Sequence, residues 1–361
     1  MRTTIKQIAA ALGVSAKTVS KALNNRGEVS EEQRQRIIET AKSMDYRPNR
    51  SAAALSRREI RLISIAPLEP VNYYSFVNAG LTSAARELED LNCTVDFRWY
   101  SSPNAHDEVH RLLREVISGN INASGLVIAC SYEPGFYYEE LKEISRKMPV
   151  VFNTLFANGI DHIGAVGLKT HMAGKMAAEY LMSVTKESGD KLALLTGNRD
   201  APVHKGCIEG FIEKAGSIGA LFDTYDDFDE AERYTIELFS KNSDIRGIYV
   251  SSYNSPGVCR GLRKLGLGGK IPVIGHDIYP EIIDCLNDGT LTGTLFQDQM
   301  MYGRNSLRCL YEYSVGISES RYGLMTPRIV LGCMAHEFPE YEKIVLCKPY
   351  FSETNNTEVI T

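Results

Sequence analysis

The chain has 361 residues, 43% apolar and 24% charged, with a formal net charge of −5. This length exceeds one ordinary core and calls for two or three domains, and the composition is that of a soluble globular protein. No apolar run approaches the ~18 residues of a membrane span, and residues 1–7 lack the apolar core of a signal peptide. A cytoplasmic protein with no membrane partner is therefore expected. Eight cysteines are scattered without a Cys-x-x-Cys pair or an accompanying His cluster, a pattern of small buried thiols rather than a zinc site or disulfide framework. The charge is unevenly spread. Residues 1–60 hold 12 Lys+Arg against 6 Asp+Glu, whereas the remainder holds 28 against 39. A basic head on an acidic body points to a polyanion partner for the head, although charge alone does not separate that from a merely solvated basic face.

In chain order, Thr4-Ile5-Lys6-Gln7 fits a capping box. Ile5, Ile8, Ala9 and Leu12 follow at helical spacing, and Gly13 supplies the left-handed stop. Ser15 is a good N-cap for a second short helix that buries Val19, Ala22 and Leu23. Residues 24–27 read as a turn, and Ser30-Glu31-Glu32-Gln33 opens a third helix with Ile37, Ile38, Ala41 and Met44 inward. Helix, glycine turn and short second helix make a helix-turn-helix, whose second helix enters the major groove. Lys17 and Lys21 can donate to guanine acceptors, and Ala16 can make only an apolar contact. Thr18 and Ser20 suit phosphate oxygens. A generic three-helix bundle with polar outer faces would share the same periodicity.

Thr4–Ala9, Gly13-Val14-Ser15, Thr18-Val19-Ser20, Val29-Ser30 and Tyr46-Arg47-Pro48-Asn49 resemble the N-terminal signature of the lactose-repressor (LacI/GalR) family, continuously from about residue 3 to 57. The resemblance implies base-reading positions at Ala16, Lys17 and Lys21. It also implies a hinge helix after Asn49, within Arg50-Ser51-Ala52-Ala53-Ala54-Leu55, that orders when paired with its dimer mate on DNA. Leu55 then matches the leucine wedged into the central minor-groove step. The competing reading makes it a linker residue packing on the body. The DNA-contacting candidates are thus Thr4, Ser15, Ala16, Lys17, Thr18, Ser20, Lys21, Asn49, Arg50, Ala52 and Leu55.

From Ile60 onward, apolar runs alternate with amphipathic helices. Strands are expected at 61–66, 94–99, 125–130, 150–153, 162–166, 192–196, 247–251, 273–275 and 291–296. Helices are expected at 76–91, 106–118, 172–184 and 206–215, among others. This alternation means doubly wound parallel sheets. No nucleotide-binding or hydrolase fingerprint is present, so no catalytic residue, metal or cofactor is expected. The body is similar to the periplasmic sugar-binding-protein fold, most clearly at Ile271–Asp277 and Gly293–Asp298 and more weakly at Ala173-Gly174 and Glu209-Gly210-Phe211. In such folds the ligand sits between two lobes at the carboxyl ends of strands. The effector-binding candidates are Tyr73, Tyr74, Phe76, Asn153, Lys205, Ser251, Tyr253, Asp277 and Gln297. Cys207 stands where many relatives carry an arginine, Lys169-Thr170 where an Asp is frequent, and Ser251-Ser252 where an Asn-Asp pair is usual. The ligand is therefore expected to be a sugar, a modified sugar or another polar metabolite.

The expected architecture is an all-α helix-turn-helix head on an α/β two-lobed, periplasmic-binding-protein-like body. The head spans 1–47 and the hinge and linker 48–59. The body spans 60–351, with lobe one at about 60–167 and 298–324 and lobe two at about 168–297 and 325–351. A polar tail occupies 352–361. The expected function is a sequence-specific regulator, most simply a repressor. A homodimer would bind pseudo-palindromic operator DNA under allosteric control by a small polar effector; the tail shows no long leucine heptad that would favour a tetramer. Competing readings are a sugar sensor without an inducible DNA switch, a solute-binding protein and a metabolic enzyme with an accessory head.

Overall fold

The computed structural model describes residues 3–23, 27, 29–46, 58–101, 105–130, 134–154, 158–241, 244–317, 323–347 and 357–360. The chain forms two compact units, residues 1–58 and 59–361. The hinge candidates Asn49, Arg50, Ala52 and Leu55 lie outside the described residues.

The first unit contains α1 (Ile5–Leu12), α2 (Ala16–Leu23) and α3 (Glu31–Ser43). Thr4 and Gln7 close the expected capping box, and Gly13 ends α1 at φ 66°. The Thr18 N–H donates to Ser15 Oγ at 3.0 Å, so Ser15 caps α2. Ile8, Ala9, Val19, Ala22, Ile37 and Ala41 form the core, with Leu12, Leu23 and Met44 packed at its edge. Burying those positions of α2 leaves Ala16, Lys17 and Lys21 exposed and Thr18 and Ser20 partly so. The chain before α1 is tied to the end of α3 by the Thr3 hydroxyl, which donates to the Met44 carbonyl at 2.7 Å.

The second unit holds two doubly wound sheets. The first is parallel throughout, in the order β2 (Cys93–Tyr100), β1 (Ile60–Pro67), β3 (Leu126–Ala129), β4 (Val150–Asn153), β5 (Gly164–Val166). The second runs β11 (Arg328–Leu331), β10 (Gly293–Phe296), β9 (Val273–His276), β8 (Gly247–Val250), β6 (Leu192–Thr196), β7 (Ala220–Asp223). Only its edge strand β11 is antiparallel to its neighbour. Helices cover both sheets, as parallel strands require. They are α4 (Val71–Glu89), α5 (Ala105–Ser118), α6 (Tyr138–Lys147), α7 (Thr170–Thr185), α8 (Pro202–Ala215), α9 (Phe228–Lys241), α10 (Ser255–Lys264), α11 (Pro280–Asn287) and α12 (Gln299–Ser314). After β10 the chain leaves the second sheet, and α12 packs on α4 and behind β4 and β5 of the first. It returns beside its own earlier crossing, where Leu168 and Met325 form a parallel bridge.

A pair of mutually inserted glycines sets one helix crossing in each lobe. A Cβ on Gly80 of α4 would lie 1.9 Å from the Met300 carbonyl oxygen, and one on Gly303 of α12 would lie 2.0 Å from that of Val77. In the second lobe the same relation joins α7 and α8. A Cβ on Gly174 would meet the Cys207 carbonyl oxygen at 2.0 Å, and one on Gly210 that of His171 at 2.0 Å. The Ala173-Gly174 and Gly210-Phe211 pairs are therefore packing devices. Cys207 is fully buried between them and α7's sheet face, and its thiol is pushed up to about 12 by burial.

Several elements depart from the expectation. α4 begins at Val71, not 76, directly after Pro70 at its N-cap. β7 is half-buried along its length, and β11 is an exposed edge; neither carries the continuous apolar run of a central strand. Residues 357–360 of the expected polar tail form β13 (Thr357–Ile360), antiparallel to β12 (Ile344–Cys347). β12 runs along α4 rather than on the second lobe.

Candidate functional site

The carboxyl ends of both sheets open on a shared cleft of about 550 Å³. Asp277, just after β9, is its most deeply placed charge. The residue is 3% exposed and sits in the left-handed region at φ 72°. Its backbone N–H donates to the Leu295 carbonyl at 3.1 Å, and its own carbonyl accepts from Thr294 Oγ1 at 2.7 Å. One carboxylate oxygen, Oδ1, accepts from Gln297 Nε2 at 2.5 Å and Gln299 Nε2 at 2.6 Å. These are neutral donors. Burial outweighs them and pushes the carboxyl up to about 7.

His276 precedes it and is also buried in the cleft wall. The Tyr249 hydroxyl lies 2.8 Å from its Nε2. Burial, helped by the nearby His204, pushes the imidazole down to about 3, so it is neutral at ordinary pH. His204 itself spans two partners, with Nδ1 at 3.2 Å from the Ser251 carbonyl and Nε2 at 3.7 Å from Asp226 Oδ2. Gly197 follows β6 beside them. A Cβ there would come within 2.4 Å of His204 Nε2 and 2.5 Å of Asp226 Oδ1, so both side chains would have to move aside.

On the other wall, Pro70 and the first turn of α4 present Tyr73 and Tyr74, whose rings meet edge-on at 5.0 Å. The Tyr74 hydroxyl donates to the Cys130 carbonyl at 3.0 Å. Tyr253 faces them from beyond β8 and leans on Phe228, with ring centroids 5.5 Å apart. Burial, with the charges of Asp226 and Asp227, pushes its phenol up to about 12. Thr154, Asp226 and Asp277 all line the cleft with φ between 59° and 74°. Such left-handed backbone costs non-glycine residues roughly 1–3 kcal/mol each and gathers at ligand sites.

The structure thus brings together Tyr73, Tyr74, Ser251, Tyr253, Asp277 and Gln297 of the sequence candidates. It places the other three elsewhere. Phe76 lies about 200° round α4 from Tyr74 and packs on Tyr341 at 4.4 Å in the core. Asn153 points to α12, donating from Nδ2 to Ser306 Oγ at 2.8 Å; its neighbour Thr154 takes the cleft side. Lys205 is exposed on α8, one residue past the cleft-lining His204. Sequence reasoning missed Asp226, His204, His276, Thr154, Asn198 and Asp200 as lining residues. The Gly-His-Asp run could have flagged His276. The left-handed turn that turns Asp226 inward leaves no sequence signal.

In the head, Thr4 and Ser15 serve as helix caps, while Ala16, Lys17 and Lys21 form the open side of α2. A small basic three-helix unit and a two-lobed unit with a polar cleft together define a ligand-responsive DNA-binding regulator. The chain belongs to the lacI family of bacterial regulatory proteins, which residues 4–49 match, and residues 65–318 match the periplasmic binding protein domain. The ribose operon repressor of Bacillus subtilis (strain 168) is 27% identical over 289 residues, covering 77% of this chain and 82% of that one. The HTH-type transcriptional regulator DegA of the same organism is 25% identical over 226 residues, 62% of this chain and just under two thirds, 64%, of that one. AglR of Rhizobium meliloti (strain 1021), also an HTH-type transcriptional regulator, is 28% identical over 296 residues, 77% of this chain and 78% of that one. Among solved structures, a glucose-galactose binding protein from Geobacillus stearothermophilus superposes with TM-score 0.66 at 21% identity, covering 78% of this chain and all of that one. A solute-binding protein from Actinobacillus succinogenes with bound D-allose gives 0.67 at 15% identity, covering 77% of this chain and all of that one. At these identities the structures establish the body's fold.

Proposed function

We propose that the chain is a repressor that binds pseudo-palindromic operator DNA as a homodimer in the cytoplasm and changes its grip when a small polar ligand of the sugar class fills the cleft. One observation carries this reading: a single chain holds both an open basic helix in a helix-turn-helix and a cleft whose walls bear carboxylate, amide and tyrosine side chains. Lys17 and Lys21, one turn apart on α2, reach base-edge acceptors, while Ala16 makes an apolar contact. Ser20 and the Thr18 end of the helix meet phosphates. Asn49, Arg50, Ala52 and Leu55 serve the hinge, with Leu55 as the minor-groove wedge. In the cleft, Asp277 and Gln297 accept and donate to hydroxyls, Ser251 adds a polar contact, and Tyr73, Tyr74 and Tyr253 stack on a ring's apolar face. The curated relatives are regulators and repressors by name, which supports this role over an enzymatic one. No helix among the described residues is long and apolar enough to cross a membrane.

The test is a gel shift with duplexes from upstream of the chain's own gene, with and without candidate sugars. A sequence-selective shift altered by one ligand class supports the proposal, and the absence of any selective shift overturns it. Leu55→Ala is expected to weaken operator binding far more than binding to random duplex; equal losses would remove the wedge.

A further inference from the structure

The charges around the cleft are unbalanced. Its described lining includes Asp200, Asp226 and Asp277 but neither lysine nor arginine. The basic residues next to lining positions in sequence, Lys169, Arg199 and Lys205, are not part of the lining. Arg199, between the lining residues Asn198 and Asp200, is committed to Asp223 with Nε at 2.6 Å from Oδ2, and Lys205 is exposed on the outer face of α8. His276 is held neutral by burial. The remaining candidate cation, His204, already faces Asp226. Asp277 is left 3% exposed with only two amides on Oδ1 and no donor to Oδ2 among the described residues. A buried carboxylate without a cationic partner carries an uncompensated desolvation penalty.

Prolines reduce the backbone donors at two helix starts beside the cleft. Pro70 stands at the N-cap of α4 and Pro202 at the first position of α8, and both line the cleft. Each removes one of the N–H groups that its helix terminus could offer an anion. Tyr73 and Tyr253 meanwhile bring aromatic rings to the same space as Asp277, and tyrosine faces attract cations. Carboxylate plus aromatic walls is the chemistry of ammonium recognition.

We propose that the cleft's ligand carries a protonated amine, as an amino sugar or similar amino polyol does, with its ammonium received by Asp277 beside the tyrosines, and that phosphorylated and carboxylated sugars are rejected. This rests on the reading of the cleft as the effector site. An anionic ligand would meet three carboxylates and no lysine or arginine. A neutral sugar would offer Asp277 hydroxyl donors without charge, whereas an ammonium supplies both donors and charge.

The test uses the full-length chain at pH 7 with matched probes built on glucose, galactose and mannose: the 2-amino sugar, the parent sugar, the uronate and the 6-phosphate. Thermal shift ranks them and calorimetry gives Kd. At least one amino sugar is expected to bind tenfold or more tighter than its parent, with no response to uronates or phosphates. Asp277→Asn should lose that tenfold preference while remaining folded by circular dichroism. Binding of a uronate or phosphate, or of a parent sugar as tightly as its amine, overturns the inference and leaves the sensor reading standing. No response to any of the four classes overturns the sensor reading together with the inference.

Discussion

Asp277 joins stability to chemistry within one side chain. Its carboxyl sits at about 7 in the folded chain against an ordinary 3.8. The native state therefore binds more protons than the unfolded state between those values, and stability falls as pH rises through that window. Asp277→Asn removes this burden. The variant is expected to exceed the parent chain at pH 8 by ~1–4 kcal/mol in urea denaturation and to show little advantage at pH 4.5. The same advantage at both pH values would mean that burial of the charge is not the cause. His276 acts in the opposite direction. Its imidazole is pushed from 6.5 down to about 3, so its neutral burial destabilises the fold progressively as pH falls from about 6.5 to 3. In the head, Lys17 is the exposed donor nearest the N-terminus of α2. Lys17→Ala is expected to cost about 1–3 kcal/mol of discrimination between operator and a base-substituted duplex, read by competition anisotropy. A uniform loss on all duplexes would reassign Lys17 to a phosphate.

At the scale of elements, the reciprocal glycines give the sharpest structural expectation. A methyl group on Gly174 would meet a carbonyl oxygen at 2.0 Å, so α7 and α8 would have to separate. Gly174→Ala should lower the urea midpoint of the body, with overpacking worth about 1–3 kcal/mol or more. An unchanged midpoint would show that the crossing tolerates a wider spacing. Elements were legible in the sequence where one force dominated. The central strands β1, β3, β4, β6, β8, β9 and β10 are buried nearly throughout, so they read as apolar runs. The edge strands β7 and β11 are not, and their pairing depends on neighbours distant in sequence. Site residues followed the same division. Asp277 and Gln297 stand next to strand ends, which sequence can locate. Phe76 and Asn153 failed because which face of a helix or strand meets the cleft depends on where the element starts. Asp226 is invisible because nothing in its type announces a φ of 59°.

For the whole molecule, function requires that occupancy of the cleft be coupled to the head, and coupling is a free-energy difference between states rather than a matter of shape. The head alone supplies the polyanion-binding charge, so affinity for any duplex should fall steeply with salt, with a log–log slope set by the number of phosphates neutralised. A cleft ligand is expected to add an offset to that line without changing its slope. The most direct measurement is fluorescence anisotropy of a labelled duplex from upstream of the chain's own gene. Full-length protein is titrated at fixed salt, with and without a ligand that calorimetry shows to occupy the cleft. A change in operator Kd of fivefold or more is expected, absent for random duplex and lost in Asp277→Asn. An operator Kd unchanged by a ligand that demonstrably binds would contradict the regulator reading.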